Sequence, residues 1–490
     1  MYRSRFNVDM NKSSFNYTSS TVNDTQIMFY DIIGSQAHVL MLYKNNIITK
    51  TDTNKILKAL EELKTTTITN ESNSDDIHEL IESLVVSKIG LVCGGKMHTA
   101  RSRNDQISFD LRLKLRDDVN TLCINILDLI EVLVLLANKN KRTIMPLYTH
   151  LQQAQIGLFS HYLLSYADSL FRDFDRLYYA YDRINESPLG AGPIGGTSIA
   201  IDRKFVVDIL NFKQSIHNSI DAVSTRDFIA EYVSVISILM TNISRLSEDF
   251  IIWSTSEFAF IELDDAFTST SSIMPHKKNC DVLEIARGKT SRVIGNMISI
   301  FTILKGLPSG YNRDLQEIKL PLWSSSEMSI QTISVIKILL ENIIVKKSNM
   351  ENMVLGGYLT SLDIAEELVK HKLTFRIAHK IVGKLVQAAY DLNKPLSTLT
   401  NVDLSKSIGN YEQYISISSL IKIIKSITTN SSLRNRTSYG SSGFNEQYKM
   451  IKSRLQKIEK YKLKMTKRKN KVNEATSRLS AEVNKIIKRV

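Results

Sequence analysis

Apolar residues recur every three or four positions along much of this chain. Leu111, Leu115, Leu122, Ile126, Leu129, Leu133 and Leu136 form one such stripe, with Arg112, Arg116, Asp117, Asn120 and Glu131 between them. That period is the signature of an amphipathic helix. The opening of the stretch, Leu111-Arg-Leu-Lys-Leu-Arg, also alternates like a strand, but the longer period persists past Leu115 and predicts a helix. Residues 228–254, 286–304 and 323–345 read the same way. The 7 prolines leave residues 194–274 and 322–394 free of any, and long helices need such gaps because Pro removes a backbone donor and clashes with the preceding turn. Exposed loops are expected at residues 65–74 and 428–442, both rich in Ser, Thr and Asn.

The pattern predicts a mainly α protein with soft boundaries at Arg103 and Asn352. Residues 1–103 form a mostly helical N-terminal domain, residues 104–351 a central bundle of long helices, and residues 352–490 a small helical domain with a tail. The nearly continuous helix of the middle segment cannot bury all its apolar faces in one thin bundle, so side-by-side association of several chains is expected.

Composition narrows the class. Three cysteines, Cys93, Cys123 and Cys280, form no CxxC pair, which favours a reducing compartment over a disulfide framework. The start, MYRSRFNVDMNKSS, has no apolar signal core, and the longest apolar run, residues 122–137, is interrupted by Asn125, Asp128 and Glu131. A cytoplasmic protein without a membrane span is expected. The net charge of +13 is concentrated in residues 441–490, where 15 Lys and Arg face 4 Glu. Such a tail can attract RNA or an acidic partner. The spacing of Val472, Ala475, Leu479, Val483 and Ile486 instead favours the solvated face of a helix, so nucleic acid is not an expected partner.

Four polar segments interrupt the helical pattern. His98-Thr-Ala-Arg-Ser-Arg-Asn-Asp-Gln106 is dense in donors ahead of a helix; it can hold a carboxylate or serve as a capping loop. Tyr148-Thr-His-Leu-Gln-Gln-Ala-Gln155 carries a histidine expected at a loop-to-helix junction, either an acid/base or a structural residue. Thr268 to Glu284 combines hydroxyls, Met-Pro, two lysines and an Asn before a helix; its hydroxyls alone would read as an N-cap, and its lysines make it an anion-facing loop. Lys305 to Lys319 is a Gly/Pro turn followed by polar groups. Gly190-Ala-Gly-Pro-Ile-Gly195 matches G-x-G-x-x-G in form only, because a dinucleotide site needs a preceding strand and a helix opening inside the motif. No HExxH and no tight His/Cys/carboxylate set is present, so no metal is expected.

Together the four segments resemble the argininosuccinate lyase branch of the fumarase/aspartase superfamily. Ser271-Ser-Ile-Met-Pro-His-Lys-Lys-Asn279 is similar to the superfamily signature GSS-x-MP-x-K-x-N, and HTARSRNDQ, YTHLQQAQ and GLPSGYNRDLQE are similar to the family's other regions. The likeness runs from about Phe15 to Ala389. It implies a three-domain fold whose central bundle is shared in a homotetramer, with each site built from three subunits. It also implies reversible cleavage of argininosuccinate to arginine and fumarate without a cofactor. By carry-over, Ser271, His150, Lys277 and Glu284 are catalytic, with Ser271 matching the base that takes the C–H proton, His150 the opposing acid/base and Glu284 its orienting carboxylate. The reversed assignment of Ser271 and His150 stays open. Ser20, Arg103, Asn104, Thr149, Asn279, Tyr311, Gln316 and Lys319 match substrate-binding positions. Three residues depart from the family pattern: Thr270 and Ala100 stand where it has Gly, and Cys280 where it has Pro. Sister lyases and a non-catalytic crystallin-like relative are the alternatives.

Overall fold

A computed structural model describes residue 8, residues 10–66 and residues 74–488. Most of the loop expected at residues 65–74 lies outside them. The fold is mainly helical. The N-terminal region supplies α1 (Met28–Lys44), α2 (Lys50–Leu63) and α3 (Ile77–Ile89). The middle of the chain supplies α4 (Arg103–Lys139), α5 (Phe159–Ile184), α6 (Arg203–Leu210), α7 (Asp227–Ser254), α8 (Asp281–Leu304) and α9 (Lys319–Glu341). Two short hairpins interrupt it: β1 (Ile144–Thr149) with β2 (Gln152–Leu158), and β3 (Ser269–Thr270) with β4 (Lys278–Asn279).

The strand-like opening at Leu111 is helical, because α4 runs unbroken for 37 residues from a capping box in which Ser102 and Asp105 satisfy each other's backbone N–H. Leu111, Leu115, Leu122, Ile126, Leu129 and Leu133 are all buried along it. α4 packs on α5 and α9, α7 on α5 and α8, and α8 on α9, forming the central bundle. By length and composition α4 and α7 are apolar enough to cross a bilayer, but 50% and 61% of their apolar windows are buried inside the protein. They are its core helices.

One hydrophobic core runs from Ile27 through α1 and α2 into the bundle, so the N-terminal helices share the core of the central ones. The segment expected as one C-terminal unit, 352–490, divides in the structure. α10 (Ser361–Lys370), α11 (Phe375–Asp391), α12 (Asn401–Ile408) and α13 (Ile417–Ser426) enclose a separate core built on Leu368, Ile381, Leu385 and Leu420. The stretch 428–442, expected as a loop, opens with the capped helix α14 (Thr429–Asn435). The chain then returns along α15 (Phe444–Ile487), whose Ile458, Met465, Leu479 and Val483 join the main core against α4 and α2. A helix with one wet and one apolar face can bury its stripe only where a matching face exists, and the long bundle supplies it.

Ile458→Ala removes a buried side chain from that returning helix and is expected to cost about 2–4 kcal/mol in chemical denaturation. Lys460→Ala on its exposed face should change stability by less than about 0.5 kcal/mol. Equally small effects would show that α15 does not share the core.

Candidate active site

The start of α4 organises the first cluster. Asp105 is buried and accepts backbone N–H groups of Ser102 at 3.0 Å and of Gly190 and Gly192 at 2.9 Å each. Burial raises its carboxyl to about 6. The G-x-G-x-x-G lookalike is therefore a tether: φ of +90° at Gly190 and +62° at Gly192 aims both amides at one carboxylate. Asn104 donates to the Pro193 carbonyl at 2.9 Å, so the same loop is held from the first turn of the helix.

Beside this junction a cleft of about 130 Å³ is lined by Ser20, Asp24, Asp75, Asp76, His78, Arg103, Asn104, Tyr311, Arg313, Gln316 and Lys319, among others. Six of the expected binding residues meet there: Ser20, Arg103, Asn104, Tyr311, Gln316 and Lys319. Lys319 is 2% exposed and ion-paired with Asp24, whose other oxygen accepts from the Ser20 hydroxyl at 2.7 Å. Arg103 bridges Asp76 at 3.1 Å and Glu79 at 3.4 Å, and Arg313 reaches Asp75 at 3.3 Å. Cations and carboxylates share the lining in paired contacts.

Sequence reasoning missed the histidine of this cleft. His78 Nδ1 lies 2.8 Å from Asp31 Oδ2 and 3.5 Å from Asp110 Oδ2, all three residues being buried. Gln106 donates to Asp31 at 2.7 Å, and Arg101 reaches Ser35, which donates to Asp31. Burial disfavours a charged imidazole, but Asp31, Asp76 and Asp110 outweigh it and hold His78 at about 9. Burial and the neighbouring Asp31 raise the Asp110 carboxyl instead. The three groups lie close enough for a cation, within 4.8 Å, yet the short His78–Asp31 bond makes the cluster a hydrogen-bonded ion pair. The signal was present as Asp75-Asp-Ile-His78, directly after the polar loop.

The second cluster is the hairpin ahead of α8. Thr270 pairs with Lys278 and Ser269 with Asn279, leaving residues 271–277 as an exposed loop. Ser271 Oγ accepts the backbone N–H groups of Met274 at 3.1 Å and Ile273 at 3.3 Å. Lys278 is bound to Asp265 at 2.6 Å, whereas Lys277 has no carboxylate partner among the described residues. Asn279 donates to Ser269 Oγ at 3.3 Å, and Glu284 stands exposed in the first turn of α8. Thr270, in place of the family's Gly, is an ordinary strand residue. Ala100 is different: its φ of +58° is the conformation that favours the absent Gly.

The third cluster corrects an expectation. His150 is not at a loop-to-helix junction; it is the first residue of the two-residue turn between β1 and β2, where Thr149 pairs with Gln152. His150 and Leu151 have φ of +55° and +56°, as a type I′ turn requires. Positive φ in a branched side chain such as Leu is costly, of order 1–2 kcal/mol. The turn presents Thr149 and His150 to solvent. Neither lines the cleft at α4, and neither do Ser271, Lys277, Asn279 or Glu284.

A family model described as Lyase matches residues 4–295, and one described as Argininosuccinate lyase C-terminal matches residues 358–426. The argininosuccinate lyase of Nitrosopumilus maritimus (strain SCM1) is 54% identical over 487 residues, spanning 99% of this chain and 100% of that one. The chain belongs to the argininosuccinate lyase family. The argininosuccinate lyase of Methanocaldococcus jannaschii is 39% identical across 96% of this chain and 97% of its own. Among solved structures, EDDS lyase in complex with formate superposes with a TM-score of 0.85 at 26% identity, covering 97% of this chain and 95% of that one. A class II fumarase from Schistosoma mansoni shares the fold, with a TM-score of 0.69 at 16% identity over 84% of this chain and 93% of that one. The family's activity, a carbon–nitrogen lyase reaction on argininosuccinate, is this chain's activity.

The His78 cluster makes stability depend on pH. A histidine raised from its ordinary 6.5 to about 9 adds stability that is complete below pH 6.5 and lost as pH climbs through 9. Asp31, Asp76, Asp110 and Arg101 face it. Urea midpoints should therefore fall across that window, and His78→Asn should flatten the fall; an unchanged slope in the variant would contradict the assignment.

Proposed function

We propose that the chain cleaves argininosuccinate to arginine and fumarate at a site assembled from three chains of a homotetramer, as a step of arginine biosynthesis in the cytoplasm. The observation that carries the assembly is the separation of the three clusters. The hydroxyl of Ser271 and the imidazole of His150 stand on exposed turns, away from the charged cleft. The outer faces of α8 and α9 support association. Ile285, Ile298 and Phe301 are 59%, 58% and 50% exposed, and Leu320 and Ile338 add to the same kind of surface. Apolar area on this scale on long parallel faces favours contact with further copies.

The chemistry follows from the groups present. A C–H proton next to a carboxylate is weakly acidic, and its removal drives charge onto that carboxylate as an enediolate-like anion. Ser271, as an alkoxide, takes the proton; the two backbone N–H groups on its oxygen and the ammonium of Lys277 lower the cost of that charge. Lys277 and Asn279 face the carboxylate whose charge grows. The C–N bond then breaks, its electron pair leaves with the guanidine nitrogen, and His150 returns a proton there, with Glu284 orienting the imidazole. Thr149, beside His150, holds the same end of the substrate. The α4 cleft takes the arginine moiety: its amino group meets Asp24, Asp75 and Asp76, and its carboxylate meets Lys319, Ser20, Tyr311 and Gln316, with Arg103 and Asn104 closing the side.

Purified protein given argininosuccinate is expected to release fumarate, read by its ultraviolet absorbance, and to release none from adenylosuccinate. Ser271→Ala should lose nearly all turnover while assembling normally. More than a tenth of the normal rate in that variant would contradict the base assignment. Phe301→Lys together with Ile298→Lys should reduce the sedimenting species to smaller ones and remove activity; an unchanged tetramer would place the interface elsewhere.

A further inference from the structure

The charge of the C-terminal helix changes character along its length. Three cations of its first half are paired with carboxylates of the protein: Arg454 binds Asp168 at 2.6 Å, Lys462 binds Glu131 at 2.8 Å, and Lys449 binds Glu446 at 2.7 Å. Lys460, Lys467, Lys471, Arg478 and Lys485 are exposed, and none has a carboxylate within ion-pair distance among the described residues. At 100° per residue these five fall within about 40° of one another, a straight row about 37 Å long. Glu474 and Glu482 flank the row, and Lys44 already engages Glu482 at 3.8 Å.

Beside the row runs a groove of about 700 Å³ between α15 and α5, where the cations Lys213, Lys464, Lys467, Arg468 and Lys471 outnumber the carboxylates Asp182 and Glu474. Arg468 is fixed there, 3.9 Å from the ring centre of Tyr178 and 4.0 Å from that of Tyr181. Like charges four residues apart, as at Lys460/Lys464 and Lys467/Lys471, each weaken a helix by about 0.2–0.5 kcal/mol. Among the described residues no ion pair offsets that cost at these four lysines.

We propose that this row and its groove bind the phosphodiester backbone of nucleic acid without reading its bases. A row of this length matches an extended polyanion better than a single small anion. A membrane surface fits poorly, because the apolar face that would insert, Met465, Leu479, Val483 and Ile486, is buried in the core. An acidic protein fits poorly too, because along the described residues from 460 to 487 a single large apolar side chain, Leu463, is exposed, too little to anchor one. Arg468 covers Tyr178 and Tyr181, so base stacking is not on offer and binding follows charge alone.

Fluorescence anisotropy of the full-length protein with a 30-nucleotide single strand and with a duplex of the same length tests this. At 0.1 M salt the expected Kd is about 1–100 µM, with little dependence on base composition. Its log–log salt slope should be about −3.5 for the single strand and −4.5 for the duplex if five cations engage. The variant K467E/K471E/R478E should weaken binding at least about 30-fold, while the neutral K467Q/K471Q/R478Q falls between it and the parent. Both should keep full lyase turnover, which also reports that they fold. The proposal is overturned if binding is weaker than 100 µM at 0.05 M salt, if the charge reversal leaves it unchanged, or if polyglutamate competes as well as nucleic acid does.

Discussion

Removing a proton from carbon beside a carboxylate requires a strong base, fixed donors for the charge that grows, and exclusion of water, all at one point. On a single copy of this chain the residues proposed to meet those requirements stand in different places. The donors and the charged recognition groups collect at the start of α4, where Asp105 fastens the glycine loop and the Asp24–Lys319 pair closes the floor. Ser271 and Lys277 ride on the hairpin before α8, and His150 rides on the turn between β1 and β2. Long helices are the physical reason. They hold the hairpins and the cleft at fixed places and leave apolar flanks that only further helices can cover.

Local strain marks the same points. His150 and Leu151 hold left-handed backbone at the tip of a two-residue turn, and Ala100 does so one turn before α4. In each case neighbouring structure fixes the geometry: the paired strands on one side, and the capping box of Ser102 and Asp105 on the other. Backbone held away from its preferred regions persists only where surroundings over-determine it, and it concentrates at functional sites. The polar segments at residues 98–106 and 148–155 coincide with these strained turns.

Much of the fold was legible because helical periodicity is a local property. The stripe from Leu111 to Leu136 needed no tertiary information, and neither did the N-cap chemistry of Ser102 and Asp105. The membership of the family was legible for the same reason, because the motifs that point to it are contiguous. What could not be read was whatever depends on contacts distant in sequence. Asp31, His78 and Asp110 are unremarkable apart and form a titrating cluster only once α1, α3 and α4 meet. The hairpin under His150 was hidden because Leu147 to Gln155 lacks a Gly or Asn at the turn, and φ > 0 there is imposed by strand pairing. The return of α15 to the main core was likewise invisible, since a helical stripe says which face is buried and not against what.

The central claim is that hydroxyl and imidazole come from different chains, and subunit mixing tests it most directly. His150→Asn and Ser271→Ala chains, each inactive alone, should regain a measurable fraction of normal turnover when unfolded together and refolded into mixed tetramers, because some sites then draw both intact groups from complementary partners. Mixed tetramers that form, as judged by a mass tag on one variant, yet release no fumarate would contradict a shared site.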